Sequence, residues 1–178
     1  MTTITGYAAT FERTDQQHDL VQRGAFLASL AARADRLPLL WQHQMAEPIG
    51  HIEEAQEDAR GLWFRAEIAS TRRARDAIVL IESGALSECS IGFLPRRVHF
   101  AEQSAEASDR PLRVIERLDL IEISLVTLAA NPDARLLTID GRPTRIDMAI
   151  PHRQFGTGPP RESVEHLRRR LGAAVPVP

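Results

Sequence analysis

The stretch from Leu112 to Thr127 constrains the fold most. Leu118 and Leu120, then Ile121, Ile123 and Leu125, populate both alternation faces of one extended run. Successive strand side chains point to opposite sides, so a run apolar on both is covered on both and lies centrally in a sheet. Glu122 interrupts it, with Leu120 and Ser124 on its own face and Asp119 on the other. A carboxylate buried there is unfavourable unless a partner hydrogen-bonds or charge-pairs with it. The position therefore asks for a partner elsewhere in the chain.

The neighbouring segments read mainly as short strands. Ile4 to Phe11 has strand composition and ends at the polar run TDQQHD. Leu39 to His43 is a short apolar strand, and Pro48 with Gly50 marks a turn or bulge. Gly50 to Glu54 and Leu62 to Ile68 flank AQEDARG as a hairpin with a longer loop. Cys89 to Phe100 is a strand with a bulge at Gly92, followed by the surface loop AEQSAEASDR. Asn131-Pro132 ends the Leu112 strand.

Two segments have helical spacing. Gly24 to Ala34 sets Phe26, Leu27, Leu30 and Ala34 on one face. Thr71 caps a helix to about Ser83, with Ala74, Ala77, Ile78 and Ile81 inward and Gly84 as the left-handed terminator. Arg72, Arg73 and Arg75 in its first turn oppose the helix dipole and read as a solvated face. Many short strands joined by hairpins, with two helices, predict an α+β, mainly β fold: an antiparallel-rich β-barrel with flanking helices.

Composition narrows function by exclusion. With 178 residues, the chain has the length of one domain and a tail; its 43% hydrophobic residues suffice for a core. The net charge of -2 supplies no global attraction to nucleic acid or anionic lipid. No apolar run has the length of a membrane span, and the N-terminus has no signal-peptide core. Cys89 is the single cysteine, which excludes an internal disulfide and suits a reducing compartment. After residue 140 the character changes: six of the 11 prolines fall in 141–178. That composition predicts a domain over 1–140 and a flexible Pro- and Arg-rich tail.

Three positions carry possible chemistry. His43 ends an apolar run beside Trp41, and an imidazole there can act as a general base; taken alone it reads as a structural histidine. His51 with His43 lacks a third and fourth ligand for a metal, so no metal site is expected. In SECSIGF the hydroxyl of Ser90 needs a base to become a nucleophile, and Gly92 lets backbone approach a reacting carbonyl. Cys89 is the rival nucleophile; alternation lets only one of the two face a given site. Glu122 is the acid that a histidine would satisfy and that would orient it in return.

Five motifs in order, over about residues 3–138, resemble the phage prohead protease family, serine proteases that mature bacteriophage capsids and share a fold with the herpesvirus capsid maturation protease. They are RGAF, LLWQHQMAEPIG, GLWF, SGALSECSIGF and DLIEISLVTLAANPDA. The resemblance implies a herpesvirus-protease-like barrel and a serine endopeptidase. It places the catalytic histidine on His43, the nucleophile on Ser90 and the third member on Glu122, where the herpesvirus relatives have a second histidine. It points to the AANP turn, Ala129, Ala130 and Asn131, for the oxyanion donors. Cys89 departs from the residue type expected before the serine.

The resemblance further implies no cofactor. Its partners are the major capsid protein with its scaffolding segment, and other copies of the chain, which is expected to cleave its own tail. Its setting is the host bacterial cytoplasm, inside assembling proheads. Rivals from other classes are a non-enzymatic capsid assembly module, a cysteine hydrolase using Cys89, and a general hydrolase. The last is disfavoured by the missing Gly-x-Ser-x-Gly elbow.

Overall fold

A computed structural model describes residues 1–33, 37–101 and 111–145. The loop predicted at AEQSAEASDR and the tail beyond residue 145 fall largely outside these residues. The chain order is β1 (Thr2–Thr10), β2 (Asp19–Val21), α1 (Leu27–Arg33), β3 (Pro38–Trp41), β4 (Gln44–Glu57), β5 (Gly61–Ile68), α2 (Arg72–Ser83), β6 (Glu88–Ala101), β7 (Leu112–Val126), β8 (Arg135–Ile139) and β9 (Arg142–Pro143).

The strands pair in the order β1-β5-β4-β3-β7-β6-β8, and β8 pairs back onto β1. Seven strands thus close a barrel, the mainly β, antiparallel-rich fold expected, with α1 and α2 attached. Closure removes free sheet edges, which an open sheet of this size would have to protect. Two pairings are parallel, β3 with β7 and β2 with β7. β7 is the doubly covered strand its sequence requires: every residue from Glu122 to Val126 is buried.

Local differences have physical causes. The helix predicted from Gly24 begins only at Leu27. Gly24 takes φ 91°, and the amides of Gly24 and Phe26 donate to the two oxygens of Glu57, both at 2.7 Å. This carboxylate holds a turn where the periodicity suggested helix; Phe26 is buried but Leu27 is exposed. Ser29 is buried instead, and its hydroxyl accepts from the Leu120 amide at 2.8 Å, docking α1 on β7. The expected long loop AQEDARG is mostly strand, because β4 runs to Glu57 and β5 starts at Gly61. Pro48 lies inside β4 at an irregularity in the β3 register, the bulge that its missing N–H permits.

α2 follows its sequence signals closely. Thr71 caps it by accepting from the Ala74 amide, Gly84 ends it at φ 82°, and Ala74, Ala77 and Ile81 are buried. Arg73 is less solvated than expected: it pairs with Glu47 and lies 5.5 Å over the Trp41 ring. β8 and β2 were not legible as strands. β8 is needed to close the barrel, and β2 is fixed to β7 by the ion pair of buried Asp19 with Arg113. Packing continues past residue 140, where β9 pairs with β8 and Thr144 is buried.

Candidate active site

β7 supplies the floor of the site. Opposite it, β6 runs antiparallel with Ser90 paired to Ser124 and Gly92 to Glu122. These four residues therefore share one side of the two strands. The strand slips register just after Gly92, the bulge expected there. Gly92 has a further purpose that the sequence did not disclose. A Cβ added there would lie 2.4 Å from Glu122 Oε1 and 2.9 Å from its Cγ. The absent side chain is the space in which the buried carboxylate sits.

His43 comes from the tip of the β3–β4 hairpin. Trp41 pairs with Gln44, so Gln42 and His43 form a two-residue connection, and both have positive φ, 50° and 59°. Positive φ at both central positions is the signature of the tight turn that suits the twist of two antiparallel strands. It is unfavourable for residues with a Cβ, by roughly 1–3 kcal/mol each. β7 supplies the restraints. The Gln42 amide donates to Leu125 O at 3.0 Å, and the Gln42 side chain exchanges two hydrogen bonds with Thr127. The His43 amide donates to Ser124 Oγ at 3.0 Å.

The His43 ring meets the buried acid. Nδ1 lies 2.6 Å from Glu122 Oε1, and the other carboxylate oxygen accepts from Ser124 Oγ at 2.7 Å. The acid side chain is 4% exposed and the imidazole 44%. Against a carboxylate the ring nitrogen is the donor, which leaves Nε2 as the basic nitrogen of the neutral ring. The hydrogen bond to Glu122 raises the His43 pKa above 6.5; partial burial opposes this and the carboxylate's charge adds to it. Glu122 has thus found the partner its position demanded. Asp119 has not entered the site: it pairs with Arg96 on the distal part of β6.

Ser90 and Cys89 separate as alternation requires. Cys89 is fully buried in the barrel core, and burial pushes its thiol pKa up, so little thiolate forms. Ser90 is half-buried and lines a cavity together with His43, Ile91, Phe93, Ala130 and Asn131. Residues of β1 and of the segment leading to β2, among them Ala8, Ala9, Arg13 and Asp15, line it as well. His51 is exposed on β4.

The turn after β7 is held at several points. The Ala129 amide donates to Glu88 Oε2 at 2.6 Å, so that N–H is already engaged. The carbonyl of Ala130 accepts from the Gln16 amide. The Asn131 side chain accepts from Thr10 Oγ1 and donates to Thr10 O. Ala129 packs with Val126 and Ala134 in a small apolar cluster beneath. Ser124, Glu88 and Gln42 are the supporting residues that sequence reasoning passed over. Two had a signal in hand: Ser124 and Glu88 stand two positions from Glu122 and Ser90, on the same strand faces.

The barrel resembles solved herpesvirus proteases at low similarity. A KSHV protease in complex with a hexapeptide phosphonate inhibitor aligns with TM-score 0.47 and 12% identity, over 76% of this chain and 63% of that one. A varicella-zoster virus protease aligns with TM-score 0.48 and 13% identity, over 79% and 64%. Among phage proteins, the prohead protease of Enterobacteria phage HK97 is 28% identical over 148 residues, and the capsid polyprotein of Pseudomonas phage PAJU2 29% identical over 143. These alignments take in 80% and 76% of this chain, which spans 64% of the HK97 protein and 20% of the PAJU2 one. The family described as Caudovirus prohead serine protease matches residues 1–145, including the cavity, the hairpin tip and the strands beneath them. The chain belongs to the caudovirus prohead serine protease family.

Proposed function

We propose that the chain is a serine endopeptidase of capsid maturation, with Ser90 as nucleophile, His43 as base and Glu122 as the group that orients His43. The observation that carries the reading is the buried Glu122 carboxylate bonded to His43 Nδ1 at 2.6 Å, on an imidazole that shares a cavity with Ser90. In this mechanism Ser90 Oγ bonds to the peptide carbonyl carbon as His43 Nε2 takes its proton. The C–N bond then breaks and His43 gives that proton to the leaving amine. Water repeats the sequence on the acyl-enzyme and frees Ser90. The oxyanion accepts from the amides of Ala130 and Asn131; Ala129, tied to Glu88, holds the turn in place.

The substrates of this reading are the capsid protein's scaffolding segment and the chain's own Pro- and Arg-rich end, within assembling proheads. A capsid substrate is supported by membership of a family whose HK97 relative is a prohead protease and by similarity to a PAJU2 capsid polyprotein, and self-cleavage by the composition of 141–178. No helix among the described residues is long and apolar enough to cross a membrane. Intact-mass measurement after prolonged incubation of the full chain is expected to show loss of part of 141–178, and a permanently full-length mass counts against self-cleavage.

A fluorophosphonate, whose phosphorus bonds to the oxygen of an activated serine as fluoride leaves, tests the chemistry. Peptide mapping is expected to find the label on Ser90 and to lose it in His43→Ala. Labelling of any other residue, or none, removes the serine mechanism.

The acid limb of the pH profile has a definite direction. The base must be neutral, and its pKa is raised above 6.5 by Glu122. Labelling of Ser90 therefore rises with pH through a midpoint above that value. Glu122→Gln removes the cause, so the midpoint moves to lower pH while the plateau rate falls by about 10²- to 10⁴-fold. A midpoint that stays fixed in Glu122→Gln refutes the coupling.

A further inference from the structure

Ser124 is fully buried, and its single hydroxyl is used twice. It accepts from the His43 amide at 3.0 Å and donates to Glu122 Oε2 at 2.7 Å. Its one proton cannot also serve the amide, so the direction of each bond is fixed. Glu122 Oε1 in turn meets His43 Nδ1 at 2.6 Å. The bonds close a ring that leaves the backbone of His43, passes through Ser124 and Glu122, and returns to the ring of the same histidine.

We propose that Ser124 is a positioning residue of this site: through one hydroxyl it sets both the backbone of the hairpin tip and the carboxylate that aims the imidazole. The proposal rests on the serine peptidase reading for its kinetic consequence, and on geometry alone for its structural one. His43 at φ 59° needs a restraint on its amide, and the hydroxyl is that restraint. A carboxylate on a single hydrogen bond can turn about its terminal torsion. Donors on both oxygens, from different elements, hold its plane. Because both restraints come from one strand position, backbone and side chain of His43 keep their relation even as the hairpin tip flexes. Gln42, clamped to Thr127, secures the preceding residue but touches neither the carboxylate nor the imidazole hydrogen bond.

The alternative is that Ser124 only fills its buried position. Three full-length proteins separate the two: the natural chain, Ser124→Ala, and Ser124→Thr, which keeps the hydroxyl. The first readout needs no substrate. Nδ1–H of His43, held against Glu122, is expected to give a far-downfield proton resonance protected from exchange with water. That signal should disappear or broaden in Ser124→Ala and persist in Ser124→Thr. The second is the rate of Ser90 labelling by fluorophosphonate, expected to fall about 10- to 100-fold in Ser124→Ala and to recover in Ser124→Thr.

An unchanged Nδ1–H signal and labelling rate in a folded Ser124→Ala protein overturn the proposal. So does a loss that the threonine variant reproduces in full while melting like the natural chain. Should Ser124→Ala fail to fold, Ser124→Cys, which fills the space with a weaker donor and acceptor, takes its place with the same two outcomes. Failure of the natural chain to label at Ser90 defeats the peptidase reading and not this one, because the Nδ1–H signal still reports on the ring.

Discussion

Ser90→Ala is expected to abolish cleavage of a purified capsid-protein precursor, lowering the rate by about 10⁴- to 10⁶-fold, as removal of a nucleophile from an acyl-transfer site does. Its melting temperature should change little, since the half-buried hydroxyl makes no hydrogen bond among the described residues and leaves no orphan behind. Cys89→Ala is expected to do the reverse. It retains cleavage, because Cys89 faces the core and its thiol is held protonated by burial, and it loses about 1–2 kcal/mol of stability through the small cavity it leaves. The two residues are adjacent, so the contrast controls for any effect on β6 as a whole. Rates from progress curves and thermal melts of both variants decide the matter. Cleavage that survives Ser90→Ala and vanishes in Cys89→Ala transfers the nucleophile to the thiol and ends the present assignment.

Gly92→Ala should also slow the reaction, although it touches no substrate. The new methyl would lie 2.4 Å from Glu122 Oε1, 2.9 Å from Cγ and 3.0 Å from Cδ. The carboxylate must retreat by on the order of 1 Å, a displacement that can cost about 10²-fold in rate when it disturbs a catalytic group. Overpacking adds a destabilisation of roughly 1–3 kcal/mol. Gly50→Ala is the control. Its Cβ would meet the Glu67 carbonyl oxygen at 2.1 Å, on a strand that does not line the cavity, so it should destabilise at least as much without slowing the molecules that remain folded. Labelling of Ser90 per folded molecule is the measurement. If Gly92→Ala slows labelling no more than Gly50→Ala does, Glu122 is not what aims His43.

Much of this site could be read locally. The strand at Leu112 to Thr127 was recognisable as doubly covered, and Glu122 stood out within it. Alternation already forbade Cys89 and Ser90 from serving one site together. The cap at Thr71 and the stop at Gly84 needed only the residues on either side. Legibility failed where a distant group overrode the local pattern. Glu57, reached from the far end of β4, converts the first turn of the predicted helix into a glycine turn. β2 is too short to show a period and exists because β7 offers it an edge. At Gly92 the local sequence shows a bulge, but not that a carboxylate from the strand beside it fills the space left by the missing side chain.

The main strands and both helices, though not β2, β8 or β9, the burial of β7 on both faces and the presence of a stranded acid are properties of neighbours along the chain, and periodicity carries them. That the acid's partner is His43, that Ser124 joins them, and that Ser90 opens on the same cavity depend on register and on closure of the barrel. Those arise when β3 docks in parallel on β7 and β8 returns to β1. A one-residue slip in either pairing would turn the same side chains to opposite faces, so no window of sequence contains the information; it resides in the burial of the whole core.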